Sequence, residues 1–156
     1  MTITPHGLVT ASTAADAREL DRMIRPEDRR EVEELGGRPA LQHFLLGVLM
    51  SEPALTLRDH NGDLVGIAGA VPDVSGNGVI WMSGTALVES RKTAFLRGSR
   101  DVLAEFHRHY DTLYNICDAR NEVHVKWLRW LGFTLLHKYQ CGPNAVPVYE
   151  FARIAD

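Results

Sequence analysis

The longest helical pattern in the chain runs from Ser90 to Tyr110 and lies between two short β-prone runs, 79–82 and 112–117. Its apolar residues recur at helical spacing, so that one face of the helix is apolar. A connection of this length joins strands that lie parallel in one sheet, because a tight turn joins only antiparallel neighbours. The chain therefore predicts a sheet that contains a parallel pair and carries helices.

The chain before that helix is helical first and β-prone afterwards. Arg25-Pro26 separates two helical patterns, because the residue before proline resists the helical conformation. Asn61-Gly62 lies between two short β-prone runs and predicts a tight antiparallel hairpin. The predicted segments are a strand at 7–11, helices from Ser12 or Thr13 to Ile24, from Pro26 to Gly36-Gly37 and over 40–50, and a three-stranded antiparallel meander of 54–58, 64–71 and 79–82.

The fold class follows from the order of these elements. After the strand at 112–117 the chain predicts a helix at 122–131 and a final strand pair, 133–139 and 146–152. We expect an α/β (α+β) fold with a mixed, mostly antiparallel sheet of six to seven strands and helices on both faces. The 156 residues suit a single domain, 1–156, with its core over about 8–152.

Composition excludes several classes of partner. The formal net charge of −3 gives no global field that favours nucleic acid. No apolar run is long enough to span a membrane, and the first residues lack the pattern of a secretory signal. Cys117 and Cys141 make neither a disulfide framework nor a metal cluster, and Cys117 reads as a buried apolar residue. The histidines show no metal-ligand spacing, so no metal is expected.

One segment resembles a known superfamily. Asn121 begins the last helix directly after a strand, and Leu131-Gly132-Phe133 closes it. With the order of elements, this pattern resembles the GNAT (Gcn5-related N-acetyltransferase) superfamily. The resemblance implies a GNAT-like fold and transfer of an acetyl group from acetyl-CoA to an amine on a small molecule or a protein. Asn121 would cap the helix or bind the cofactor.

A narrower resemblance rests on more residues. They are Arg25, Asp28 and Glu31-Val32 at fixed spacing, Gly84-Thr85 after Trp81, and the segment from Asn121 to Phe133. Over about residues 8–152 these are similar to a small GNAT-like family of T7-type tailed phages, encoded near the internal virion protein genes. This implies a bacteriophage protein in the host cytoplasm or associated with the virion, with a host or virion protein as partner.

Two positions depart from the GNAT pattern. The family usually holds the coenzyme A pyrophosphate on a Gln/Arg-x-x-Gly-x-Gly/Ala loop, but the nearest match here, Arg91-x-x-Ala94-x-Leu96, lacks both glycines. Arg91 and Lys92 would supply charge instead, or they are a solvated helix start. Many GNAT enzymes also place a tyrosine where Leu128 stands, as the acid for the leaving thiolate. Tyr139 or Tyr114 would replace it, unless both are core residues.

The remaining site predictions follow from the resemblance. Thr85, Leu87 and Val88, after the fourth strand, would pair with the pantetheine arm through their backbone. Glu89, Asp118 or His124 would deprotonate the amine. Plainer roles compete: Glu89 as a carboxylate at a helix start, Asp118 as a capping group and His124 as an exposed helix residue. The competing function is a catalytically inactive GNAT-fold protein that acts through protein contacts.

Overall fold

An eight-stranded mixed sheet forms the centre of the computed structural model, which describes residues 2–4 and 7–156. In chain order the strands are β1 (Thr2–Thr4), β2 (Gly7–Ala11), β3 (Ala54–Arg58), β4 (Leu64–Pro72), β5 (Gly78–Gly84), β6 (Thr112–Asp118), β7 (Thr134–Cys141) and β8 (Val146–Ile154). Their order across the sheet is β1-β2-β3-β4-β5-β6-β8-β7. Among the strands of the described residues, only β5 and β6 are parallel neighbours.

Six helices complete the described chain. They are α1 (Ala14–Met23), α2 (Pro26–Gly36), α3 (Ala40–Met50), α4 (Leu87–Ser90), α5 (Lys92–His107) and α6 (Glu122–Trp130). The predicted fold class is confirmed, and the short strand β1 brings the count one above the six to seven expected. The long helix differs from its prediction, because the backbone leaves the helical region at Arg91 (φ −121°, ψ 45°) and divides α4 from α5.

Apolar clusters lie on both faces of the sheet. On one face, α5 and α6 bury Phe106 and Leu128 against strand residues such as Leu113. On the other face, α1 and α3 bury Leu20 and Phe44 against β4. The predicted placement of helices on both faces is therefore confirmed.

Helix α2 is positioned by the residues at its two ends. It begins at Pro26, whose fixed φ suits the first helical position, and it stops at Gly37, which is left-handed at φ 67°. The helix packs beside α3 and against β6. Arg25 and the first turn of α2 consequently lie beside the ends of β5 and β6.

Candidate active site

The sheet splits between β5 and β6. These strands pair only at Gly78–Leu113 and Val79–Tyr114. In a continuing parallel ladder the C=O of Ile80 would accept from the N–H of Ile116. Instead the Asn115 side chain stands between them: Nδ2 donates to the Ile80 oxygen at 2.7 Å and Oδ1 accepts from the Ile116 nitrogen at 2.7 Å. The Asn115 amide thus satisfies both backbone groups where the strands part.

The gap beyond Asn115 opens toward both faces of the sheet. On the α2 side it forms a cavity of about 220 Å³. On the α5 side there is a narrower apolar cavity against Phe95 and Trp127. Met82, Ser83 and His124 line both cavities and therefore lie between them.

The backbone of β5 presents hydrogen-bonding groups to the gap. Successive residues of a strand point their N–H and C=O groups to opposite sides, so Ile80, Met82 and Gly84 share one direction, away from β4. The Ile80 C=O accepts from the Asn115 side chain. The Gly84 N–H donates to Asp28 Oδ2 at 3.0 Å, and the Gly84 C=O accepts from the backbone N–H of Arg25 at 3.0 Å. Met82, between them, points its N–H and C=O into the gap.

A buried polar network closes one end of the gap. Arg25 Nη1 and Asp28 Oδ1 lie 2.9 Å apart, and the side chains of both residues are almost fully buried. Asn121 Nδ2 donates to Asp28 Oδ1 at 2.9 Å and to Glu31 Oε1 at 3.1 Å. The side-chain oxygen of Asn121 also accepts from the backbone N–H of His124 at 3.5 Å. The network therefore connects α2, β5 and α6.

His124 joins this network through one ring nitrogen only. Nδ1 lies 3.2 Å from Glu31 Oε1, while Nε2 is buried and has no hydrogen-bond partner. The side chain is 7% exposed, so the prediction that His124 is an exposed helix residue is wrong. Burial favours the neutral ring, but the carboxylates of Glu31 and Asp28 outweigh it and raise the pKa of His124 above its ordinary value.

Asp28 experiences the opposite balance. Burial raises its pKa, although His124, Arg25, Asn121 and the Gly84 N–H all favour its charged form. The guanidinium of Arg25 also lies 5.2 Å from the ring centre of Trp127, within the range of a cation–π contact. The charges at the gap are therefore held by one another inside the protein rather than by solvent.

Solved structures of acetyltransferases share this architecture. A ribosomal L7/L12 alpha-N-protein acetyltransferase in complex with coenzyme A matches with a TM-score of 0.72 and 11% identity, over 99% of this chain and 97% of that one. The ribosomal-protein-alanine N-acetyltransferase of Brucella melitensis gives 0.68 and 16%, over 95% and 99%. A GNAT superfamily phosphinothricin acetyltransferase from Sinorhizobium meliloti, in complex with acetyl-CoA, gives 0.67 and 14%, over 96% and 88%.

The chain has the GNAT fold. At these identities the likeness concerns the fold, and function has to be argued from the site. No family model matches the sequence, and no curated protein matches it significantly. No helix of the described residues is long and apolar enough to cross a membrane. Among the same residues no group of three or more His, Cys, Asp or Glu side chains is arranged to hold a metal ion.

The backbone groups predicted to bind the pantetheine arm are engaged within the chain. Thr85 donates its N–H to the Val65 oxygen at 2.9 Å, and the Val88 N–H donates to the Thr85 oxygen at 3.1 Å. The Leu87 N–H faces Thr85 Oγ1 at 3.3 Å. These three N–H groups already have acceptors, whereas Met82, farther back on β5, has its backbone N–H and C=O facing the gap.

The residues predicted to meet the pyrophosphate lie at the break between α4 and α5. Arg91 and Lys92 are both exposed, and the first turn of α5 has no side-chain cap. Arg91 Nε lies 3.5 Å from the buried carboxylate of Asp59, so part of its charge is already paired. Gly98 lies inside α5, as expected, and is too far along the helix to replace the missing loop glycines.

The predicted catalytic residues do not meet at the gap. Glu89 is half exposed, 3.6 Å from Arg25 Nε. The Asp118 carboxylate accepts hydrogen bonds from the backbone N–H and the side chain of Arg120. Burial opposes ionisation of Asp118, but these hydrogen bonds outweigh it and lower its pKa. Tyr139 is exposed on β7, two strand spacings or about 10 Å from β6. Tyr114 donates its hydroxyl to Asp73 at 2.7 Å.

Asn121 and Glu31 are hydrogen-bonded to each other beside the gap. Asn121 caps α6 as predicted, and its amide nitrogen donates to two carboxylates. Glu31 was noticed only as part of the narrower resemblance, although it contacts both Asn121 and His124. One signal could have placed His124 at the site, because it stands three residues before Trp127 and four before Leu128, on the apolar face of α6.

Proposed function

We propose that the protein is an N-acyltransferase that transfers an acetyl group from acetyl-CoA to a primary amine. The observation that carries this proposal is the gap between β5 and β6, into which Met82 points its backbone N–H and C=O. An extended amide-containing arm fits such a position, because it can pair with a strand edge as another strand would. The acetyl thioester of the cofactor supplies the activated acyl group.

The chain offers such a cofactor two kinds of contact. Met82 would hold the arm by backbone hydrogen bonds within the gap. The uncapped N–H groups at the start of α5, with Lys92 and Arg91, would bind the pyrophosphate through the positive end of the helix and two side-chain charges. The exposed positions of Lys92 and Arg91 support this assignment.

The acceptor amine would enter from the α2 side of the sheet. The larger cavity lies there, and Glu31 on α2 and Trp81 on β5 belong to its lining. A carboxylate at this position favours a cationic amine over a neutral alcohol. The amine belongs to a small molecule or to a protein, with a host or virion protein as the macromolecular possibility.

We further propose that the protein is of the phage type described above and acts in the host cytoplasm or with the virion. The residues of the narrower resemblance support this, because Arg25, Asp28, Glu31, Gly84 and Asn121 contact one another at the gap.

A catalytically inactive protein is the second candidate, and one observation favours it. Asp28 and Arg25 already form hydrogen bonds with the N–H and C=O of Gly84. Gly84 is the next residue after Met82 whose backbone groups face the same side of β5. A cofactor arm that needs Gly84 as well as Met82 would have to displace this buried pair. Such a protein would act in virion assembly or host takeover through protein contacts.

Calorimetric titration with acetyl-CoA at low salt separates the two functions. Saturable binding is expected of the enzyme, and at 100 times Kd the ligand should add about 2.7 kcal/mol to the free energy of unfolding. Absence of heat and of any thermal shift at millimolar acetyl-CoA would favour the inactive protein.

Charge reversal at Lys92 tests where the pyrophosphate is held. We expect Lys92→Glu to weaken acetyl-CoA binding by about tenfold at low salt, because it puts a negative charge at the helix start that would meet the phosphates. The melting temperature should hardly change, since Lys92 is exposed. Arg22→Glu, on the exposed end of α1, is the matched control. Equal binding by both variants would place the phosphates elsewhere.

A further inference from the structure

We propose that His124 is the catalytic residue that carries the proton from the acceptor amine to the departing sulfur, a role that rests on the proposed function. The assignment comes from the arrangement of the ring, which is buried, lines both cavities, is bonded through Nδ1 to Glu31, and has no partner at Nε2 among the described residues.

The contact with Glu31 determines which nitrogen can react. A carboxylate accepts hydrogen bonds, so the proton of the neutral ring resides on Nδ1 and the lone pair on Nε2. Glu31 is fixed in turn by Asn121, which donates to the same oxygen. Glu31 is therefore a positioning residue that holds the ring in the tautomer of a base. Nε2 is buried and has no hydrogen-bond partner among the described residues, and the His124 side chain lines both cavities.

His124 also lies beside Leu128, which stands where many GNAT enzymes place the tyrosine that protonates the leaving thiolate. Leu128 follows it by one helical turn, and residues four apart lie on the same face of a helix. Both side chains line the 220 Å³ cavity on the α2 side. A histidine one turn earlier can thus serve the same space that the tyrosine of other GNAT enzymes serves.

The other titratable groups near the gap are less suited. Asp118 is held by three hydrogen bonds from Arg120, and Glu89 lies at the surface beside Arg25. His43 lines the same cavity, but burial and the nearby charge of Arg38 lower its pKa. Cys117 is fully buried, which raises its pKa to about 12.

The proton transfer balances without any further reactant. The bound ammonium first loses one proton to bulk water, and the neutral amine then uses its lone pair to form a bond to the thioester carbon. His124 Nε2 takes the second proton, which the nitrogen must lose once that bond has formed. The carbon–sulfur bond then breaks with its electron pair on sulfur, and Nε2–H returns the proton to the thiolate. The products are an amide and a free thiol, and His124 ends as it began.

The pH dependence follows from the groups that face His124, namely Glu31, Asp28 and Arg25 with His43 across the cavity. Nε2 can accept a proton only when the ring is neutral, so kcat/KM should rise as the pH increases through the pKa of His124. Because the two carboxylates raise that pKa, the rise should lie above the range of a free histidine. Glu31→Gln removes one carboxylate and should move the rise to lower pH.

The experiment measures thiol release from acetyl-CoA with methylamine as the probe amine. His124→Gln should lower kcat by at least about 100-fold, the usual contribution of a proton-transfer group, while the Kd for acetyl-CoA changes by less than about threefold. His107→Gln is the matched control, because His107 also has a buried, unpartnered Nε2 but lies at the far end of α5, and it should retain full activity. Added imidazole should restore part of the activity of His124→Ala.

Each outcome separates this role from the proposed function. If acetyl-CoA does not bind the wild-type protein, the proposed function fails and this role fails with it. If acetyl-CoA binds and methylamine-dependent turnover is the same in His124→Gln as in the wild type, the proposed function stands and the role of His124 is overturned. If acetyl-CoA binds but the wild type shows no methylamine-dependent turnover, both the proposed function and the role of His124 are overturned. A nuclear magnetic resonance titration of the His124 ring that gives the same pKa in Glu31→Gln would overturn the positioning role of Glu31.

Discussion

Asp28→Ala is expected to lower the free energy of unfolding by about 3–5 kcal/mol, the usual cost of removing one partner from a buried ion pair. Arg25 would keep its charge inside the protein, with only the half-exposed carboxylates of Glu27 and Glu89 nearby at 3.5 and 3.6 Å. The N–H of Gly84 would also lose its acceptor. Urea denaturation monitored by circular dichroism gives the change directly.

Glu27→Ala is the matched control for this loss. Glu27 neighbours Asp28 in sequence and contacts the same guanidinium, but half of its side chain is exposed. Solvent-exposed pairs contribute little, so we expect a change of less than about 1 kcal/mol. Similar losses for the two variants would mean that the Arg25–Asp28 pair does not hold α2 against β5.

Asn115→Leu is expected to cost about 2–4 kcal/mol, because it leaves the buried C=O of Ile80 and the N–H of Ile116 without their partner, at about 1–3 kcal/mol each. Leucine has a similar volume, so the loss measures hydrogen bonding more than packing. Asn144→Leu, on an exposed turn where the amide lies 3.5 Å from the Glu34 oxygen, is the control and should be nearly neutral.

A second readout shows whether the strands close when Asn115 is replaced. Without the amide between them, Ile80 and Ile116 could pair directly and narrow the gap. Slower hydrogen exchange at the Ile116 N–H, with a smaller loss of stability, would show that closure and would mean that the Asn115 amide alone holds the strands apart. Unchanged or faster exchange would mean that the packing around the gap keeps them apart without it.

The sequence predicted most of the fold because its signals are local. Pro26 and Gly37 mark the ends of α2, and the length of the connection through α5 predicts the parallel pairing of β5 with β6. The hydrophobic periodicity of a sequence does not indicate which distant residues a polar side chain contacts in the folded chain. Asp28 and Gly84 are 56 positions apart, and Glu31 and His124 are 93 apart. Their meeting depends on how α2 packs at the gap.

The site predictions that depended on family position alone fared differently. Thr85 to Val88 were expected to bind the cofactor because of their place after β5, but a short helix, α4, forms there and uses their N–H groups. Without the loop glycines, the N–H groups of this segment form hydrogen bonds within the protein. His124 was expected to be exposed and is buried, although its spacing to Trp127 and Leu128 places it on the buried face of α6.

The central claim is that the gap between β5 and β6 accepts acetyl-CoA, and an amide nuclear magnetic resonance titration of the intact chain tests it most directly. Saturable shifts should appear at Met82, Ile116 and Lys92, on the two sides of the gap and at the start of α5, while the distant strand β2 stays unchanged. Unmoved signals for Met82 and Ile116 at millimolar acetyl-CoA would contradict the account.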